Sequence, residues 1–181
     1  GLTRAREAFS VVSLGSWCGV KIAIKALHLR PAESLPFDWL RVTLTGVRKA
    51  LRNDFAGFLD HDSVSKDGFC TVGALHAFHH HDPRDPRDRA MYMRRIERFR
   101  NVIAAPGPLI FVRGLAATSE LAGAGELLAE LGRLHRSGRE AWLVLLLDRQ
   151  PEDILFTFAD APRLLLRAVS LSACERCDFG S

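Results

Sequence analysis

Cys18 holds the clearest chemical position in the chain. The β-branched run Val11-Val12-Ser13-Leu14 ends at Gly15, and Val20, Ala23, Ile24 and Leu27 then recur at helical spacing. That order reads as strand, tight turn, helix. It puts Cys18 at the helix start, where unpaired N–H groups and the macrodipole favour a thiolate. A thiolate there would be a nucleophile, although a small cysteine packing the strand–helix corner would leave the same trace in sequence. Familiar anion-binding loops do not fit. A phosphatase-type loop needs an arginine six residues after its cysteine, where this chain has Ile24, and Gly15 and Gly19 form no Walker or dinucleotide pattern.

His79, His80, His81 and Asp82 are the densest run of titratable groups. Successive side chains on an extended segment alternate, so at most His79 and His81 share a face, which suits one general base better than a metal site. A solvated polar loop is the alternative. Zinc needs three or four converging ligands and Cys174-x-x-Cys177 supplies half a set, so neither a metal nor any other cofactor is expected. Asp38, between Phe37 and Trp39, either caps the next helix or orients a catalytic histidine. Gly15, Ser16, Arg113 and Asp148 each follow an apolar run, where the strands of an open parallel sheet deliver ligand-binding groups. Arg94, Arg95 and Arg98 form either a solvated or salt-bridged helix face or a clamp for an anionic ligand.

These groups need a framework, and its clearest part is the last third of the chain. Two continuous apolar runs, residues 109–112 and 141–147, flank a helical pattern over residues 120–136. Such a β-α-β unit implies parallel strands covered on both faces. Residues 164–171 add a further strand. Leu40, Leu44, Val47, Leu51, Phe55 and Phe58 predict one helix, and Tyr92, Ile96, Phe99 and Ile103 another. Residues 60–88 read as irregular, with one short strand over 69–78. The expectation is a single α/β domain over residues 1–181 with a mainly parallel sheet flanked by helices, Rossmann-like and three-layered.

Composition narrows the function classes. With 181 residues, 48% of them hydrophobic, the chain can bury a substantial core. Its net charge of +4 comes from residues 84–100, which hold seven arginines against Asp85, Asp88 and Glu97. No aromatic platform interleaves with them, so nucleic-acid binding is not expected. Four cysteines are too few and too unevenly spaced for a secreted disulfide framework, and no apolar run is long enough to span a bilayer. A soluble cytoplasmic protein with reduced thiols is the expectation. The start Gly1-Leu2-Thr3 lacks a methionine, so a targeting peptide upstream would leave no trace here.

Several short motifs occur in one order: Ser13-Leu14-Gly15-Ser16-Trp17-Cys18, Leu27-His28-Leu29-Arg30, Pro36-Phe37-Asp38-Trp39, His81-Asp82, Arg94-Arg95-Ile96-Glu97-Arg98-Phe99 and Phe111-Val112-Arg113. Over about residues 11–148 the chain resembles the family described as "putative papain-like cysteine peptidase" (domain of unknown function 1796). The resemblance implies a cysteine hydrolase in which Cys18 is the nucleophile and a downstream histidine, His81, the base, with a peptide or small-molecule substrate. Asp82 or Asp38 would orient the imidazole, and turn amides near Ser16 and Cys18 would hold the oxyanion. The rival reading is a Rossmann-like transferase or binding domain that holds a phosphate or sugar-phosphate with the Gly15 turn, Arg113 and the arginine helix. A noncatalytic interaction module is the third.

Overall fold

The computed structural model describes residues 9–134 and 140–170. Its frame is a five-stranded sheet in which β1 (Ser10–Ser13), β6 (Leu109–Gly114), β7 (Ala141–Gln150) and β9 (Ala161–Ser170) run parallel. β8 (Ile154–Phe158) pairs antiparallel with β9 at one edge. Alternation along the strands divides the apolar residues between two faces. Val12, Leu109, Phe111, Leu143, Leu145, Leu164 and Leu166 enter the main core, whereas Val11, Ile110 and Val112 meet Val20 and Ile24 of α1 (Gly19–Ala26) on the other side.

The main core lies between this sheet and α2 (Leu44–Arg52), α3 (Pro86–Ala104) and α4 (Ala124–Leu134), the last entered through a 3-10 turn at Thr118–Gly123. An aromatic knot anchors it. The Phe37 ring centroid lies 5.5 Å from that of Phe55, 5.8 Å from Phe58 and 6.0 Å from Phe99. Each such pair contributes about 0.5–1.5 kcal/mol beyond the area it buries.

A second sheet interrupts the chain between β1 and β6. It is antiparallel, with β2 (Arg41–Val42), β5 (His76–Phe78), β4 (Cys70–Val72) and β3 (Ser63–Val64) side by side in that order. Val42, Cys70 and Phe78 face the core. Arg41 and Thr71, both registered opposite Ala77, face away from it.

The parallel strands and their helices match the sequence expectation, and the antiparallel sheet is an addition to it. Residues 69–78 are a hairpin rather than one strand, because the chain reverses at Gly73, which holds φ +50°, and the Leu75 N–H donates to the Val72 carbonyl at 3.0 Å. The helix expected from Leu40 to Phe58 spans only Leu44–Arg52. Thr43 caps its start by accepting from the Gly46 N–H at 3.1 Å, and left-handed Asp54 and Phe55 end it. The Rossmann-like three-layer form is matched only in its coarser part. Among the described residues, α1 is the helix on the second face, and it packs over β1 and β6. None of the described helices is long and apolar enough to cross a membrane.

Candidate functional site

Two left-handed residues make the turn that carries Cys18. Gly15 has φ +70°, and a Cβ there would lie 2.6 Å from the Phe37 carbonyl oxygen, so glycine is required on both counts. Ser16 follows with φ +97°, a conformation that costs a non-glycine residue about 1–3 kcal/mol and persists only where its surroundings enforce it. Those surroundings include the Gly15 N–H donating to the Ser13 Oγ at 3.2 Å and the Gly114 N–H donating to the Gly15 carbonyl at 3.1 Å. The chain then turns into α1 with half-buried Cys18 at the N-cap position, its carbonyl accepting from the Ile22 N–H at 3.0 Å and its sulfur making no capping bond.

Cys18 opens onto a cleft of about 570 Å³. From the parallel sheet the cleft receives Trp17, Cys18, Asp148 and Arg149; from the antiparallel sheet and its loops it receives Arg41, Phe69, His79 and His80. Asp148 and Arg149 reach it through an irregularity in β7. The register with β9 shifts between Leu147 and Gln150, and Arg149 adopts φ +56°; such bulges re-aim side chains beside functional sites.

His79 follows core-facing Phe78, so strand alternation turns it to the outward side, which it shares with Arg41 and Ala77. Its ring centroid lies 4.1 Å from that of Phe69. Burial holds its pKa below the ordinary imidazole value, and the Arg41 charge adds to the effect, so the ring is neutral and free to accept a proton at neutral pH. His80 is exposed and lies edge-on to Trp39.

His81, the base that the resemblance implies, lines an adjoining hollow of about 340 Å³ with Cys70, Asp82 and Asp88; Phe69, His79 and His80 line both cavities. Its ring meets Tyr92 edge-on at 5.8 Å and its Nδ1 is buried without a partner. Burial lowers its pKa too, helped by Arg95. Asp82 is committed elsewhere. Its carboxylate accepts from Arg84 Nη2 at 2.7 Å and from Cys70 Sγ at 3.3 Å, and the Arg84 guanidinium holds it well below the usual carboxylate range. Burial and that carboxylate push the Cys70 thiol up, which keeps it protonated.

The remaining expected residues support the site from beneath. Asp38 is wholly buried, accepts from the Leu35 N–H at 2.8 Å and pairs with Lys21 at 3.4 Å; it neither caps α2 nor faces a histidine. Burial raises its pKa against the pull of Lys21. Arg113, expected as a ligand-binding group, points inward because β6 alternation places it with Leu109 and Phe111. Its guanidinium donates to the carbonyls of Leu14 at 3.1 Å and Val42 at 3.0 Å and to both Glu120 oxygens at 2.9 Å, thereby tying the two sheets together.

Arg94, Arg95 and Arg98 do not make one exposed clamp. Arg95 is buried, with its Cζ 4.9 Å from the Tyr92 ring centroid, because positions 92, 95, 96 and 99 share the inner side of α3. Among the described residues no three His, Cys, Asp or Glu side chains converge to hold a metal ion. Cys174 and Cys177 lie outside the described residues.

The sequence does not mark Arg41, Phe69 or Arg149 as site residues. β2 and β4 are too short to show a period, and a bulge carries no compositional mark at an Asp-Arg pair.

The site is thus an α/β frame with a thiol at a strand–helix turn on a histidine-lined cleft. Residues 9–145 match the model of the family described as "putative papain-like cysteine peptidase" (domain of unknown function 1796), and the chain belongs to that family. No curated protein and no solved structure matches it.

Proposed function

We propose that this protein is a cysteine-dependent hydrolase of peptide bonds with Cys18 as nucleophile and His79 as general base. The observation that carries the proposal is that Cys18, His79 and Asp148 line one cleft, with neutral His79 able to receive a proton. Cys18 Sγ bonds to the substrate carbonyl carbon as its proton passes to His79. His79 then gives that proton to the leaving amine, and the C–N bond breaks to leave a thioester on Cys18. A water molecule, deprotonated by His79, cleaves the thioester and restores the thiol. The N–H groups at the start of α1 are the donors for the oxyanion, and Asp148 supplies a carboxylate to the same cleft. His79 is preferred to His81 as base because it shares the cleft with the sulfur.

Replacement of the nucleophile tests this directly. Cys18→Ala abolishes peptide hydrolysis while global stability stays within about 1–2 kcal/mol of the parent, since one sulfur at a partly open site leaves little cavity. Full hydrolysis by Cys18→Ala would sink the proposal.

A further inference from the structure

The cleft beside Cys18 carries two arginines whose charges the fold leaves unanswered. Arg84, Arg89 and Arg100 on the surface and Arg113 in the core each hold a carboxylate. Among the described residues, neither Arg41 nor Arg149 lies within ion-pair distance of one. Both line the cleft with the sulfur, and both are exposed. Against them stands one acidic cleft residue, Asp148, so positive charge is in excess.

The two guanidiniums reach the cleft by independent routes. Arg41 stands on the outward face of the small sheet, two positions along that face from the segment that supplies His79, and its charge contributes to keeping the imidazole neutral. Arg149 is brought there by the β7 bulge, in a left-handed backbone conformation that glycine or asparagine would adopt at lower cost. Arg149 holds that costly conformation beside the cleft, which is reason to assign its side chain a role there. A forked guanidinium is also the side chain best matched to a carboxylate.

We propose that Arg41 and Arg149 select a substrate bearing a carboxylate close to the bond that Cys18 attacks, in an acidic side chain or at a chain end. This rests on the reading of Cys18 as nucleophile and adds to it the class of substrate. Trp17, Leu40 and Phe69 supply apolar wall around the charged pair, which lowers local solvent screening and strengthens the grip on the anion.

Iodoacetate and iodoacetamide test the proposal without requiring a known substrate. Both alkylate a thiolate, forming an S–C bond as the C–I bond breaks and iodide leaves, and they differ in a carboxylate against an amide. Site-resolved mass spectrometry of the whole chain gives the ratio of the two rates at Cys18, with free cysteine in the same buffer as reference. The ratio at Cys18 exceeds the reference by about fivefold at low salt, and it falls toward the reference in concentrated salt.

Arg41→Gln and Arg149→Gly each reduce the excess. Arg149→Gly also relieves the left-handed backbone, so its loss of selectivity comes with unchanged or improved thermal stability, an outcome that a purely structural arginine would not produce. Protection of Cys18 from iodoacetamide by an amidated peptide with one glutamate, but not by its glutamine counterpart, assigns the carboxylate to a side chain. Protection by the glutamine peptide with a free C-terminus assigns it to a chain end.

Alkylation of Cys18 by both reagents at the reference ratio overturns anion selection and leaves the nucleophile standing. No reaction with either reagent overturns the nucleophile reading and the selectivity with it.

Discussion

The Trp17 indole occupies the space that a side chain at Gly114 would need, and a side chain at Gly19 would meet it as well. The residue before the thiol is therefore pinned between the end of β6 and the first turn of α1. Gly114→Ala forces the ring out, and with it the turn that presents Cys18. The expected result is a loss of about 1–3 kcal/mol in denaturant unfolding, the usual cost of overpacking, together with slower alkylation of Cys18. Because Trp17→Ala removes the obstacle, the double variant is less destabilised than the sum of the two single ones. Additive losses would show that the ring and the glycine act independently.

Exchanging histidines separates the two candidate bases. His79→Gln lowers kcat/KM for peptide hydrolysis by about 10²–10⁴-fold, the range for loss of a general base, whereas His81→Gln stays within several-fold of the parent. The pH profile carries the same assignment. His79 titrates below the ordinary imidazole value of 6.5, so activity falls on the acid side below that pH. Removing the Arg41 charge by Arg41→Gln makes the imidazolium easier to form, raises that pKa and shifts the acid limb upward. An acid limb that is unmoved in Arg41→Gln, or that persists in His79→Gln, assigns the base elsewhere.

The Lys21–Asp38 pair predicts a stability effect with a definite sign. Lys21→Met strands a buried carboxylate whose Oδ1 already lacks a partner, and the expected cost is about 3–5 kcal/mol. Adding Asp38→Asn recovers part of it. Burial raises the Asp38 pKa above 3.8, so this group favours the folded state most at pH below 3.8 and loses that contribution as pH rises through its folded value. In Lys21→Met the folded value moves higher still, and urea unfolding shows stability declining over a wider span of pH. A loss independent of pH would mean that Lys21 contributes packing alone.

The parallel apolar strands were legible from sequence because continuous runs such as Leu109-Ile110-Phe111-Val112 leave little alternative, though the helix on the second face covers only β1 and β6 among the described residues, and Cys18 was legible because Gly15 marks the turn before it. The antiparallel sheet was not, since two- and three-residue strands carry no period and are defined by their neighbours. The histidine run was visible as chemistry, but which rings line the cleft with the sulfur depends on how one sheet docks on the other. Asp38 shows the limit from the opposite side. As a residue type near aromatics it reads as a cap or a catalytic orienter, whereas its actual partner, Lys21, lies in the helix that follows Cys18, a pairing that only the tertiary fold creates.

The thiol and the imidazole stand on different sheets, Cys18 beyond β1 and His79 beyond β5, with Arg113 and the aromatic knot holding the two together. On the proposed mechanism, neither sheet alone assembles a competent pair. A nascent or partly unfolded chain in which only the parallel frame has formed exposes a cysteine with no base beside it. On the proposed mechanism, hydrolysis is then the last property the protein acquires as it folds and the first it loses as it opens, which spares unfinished copies from cutting one another.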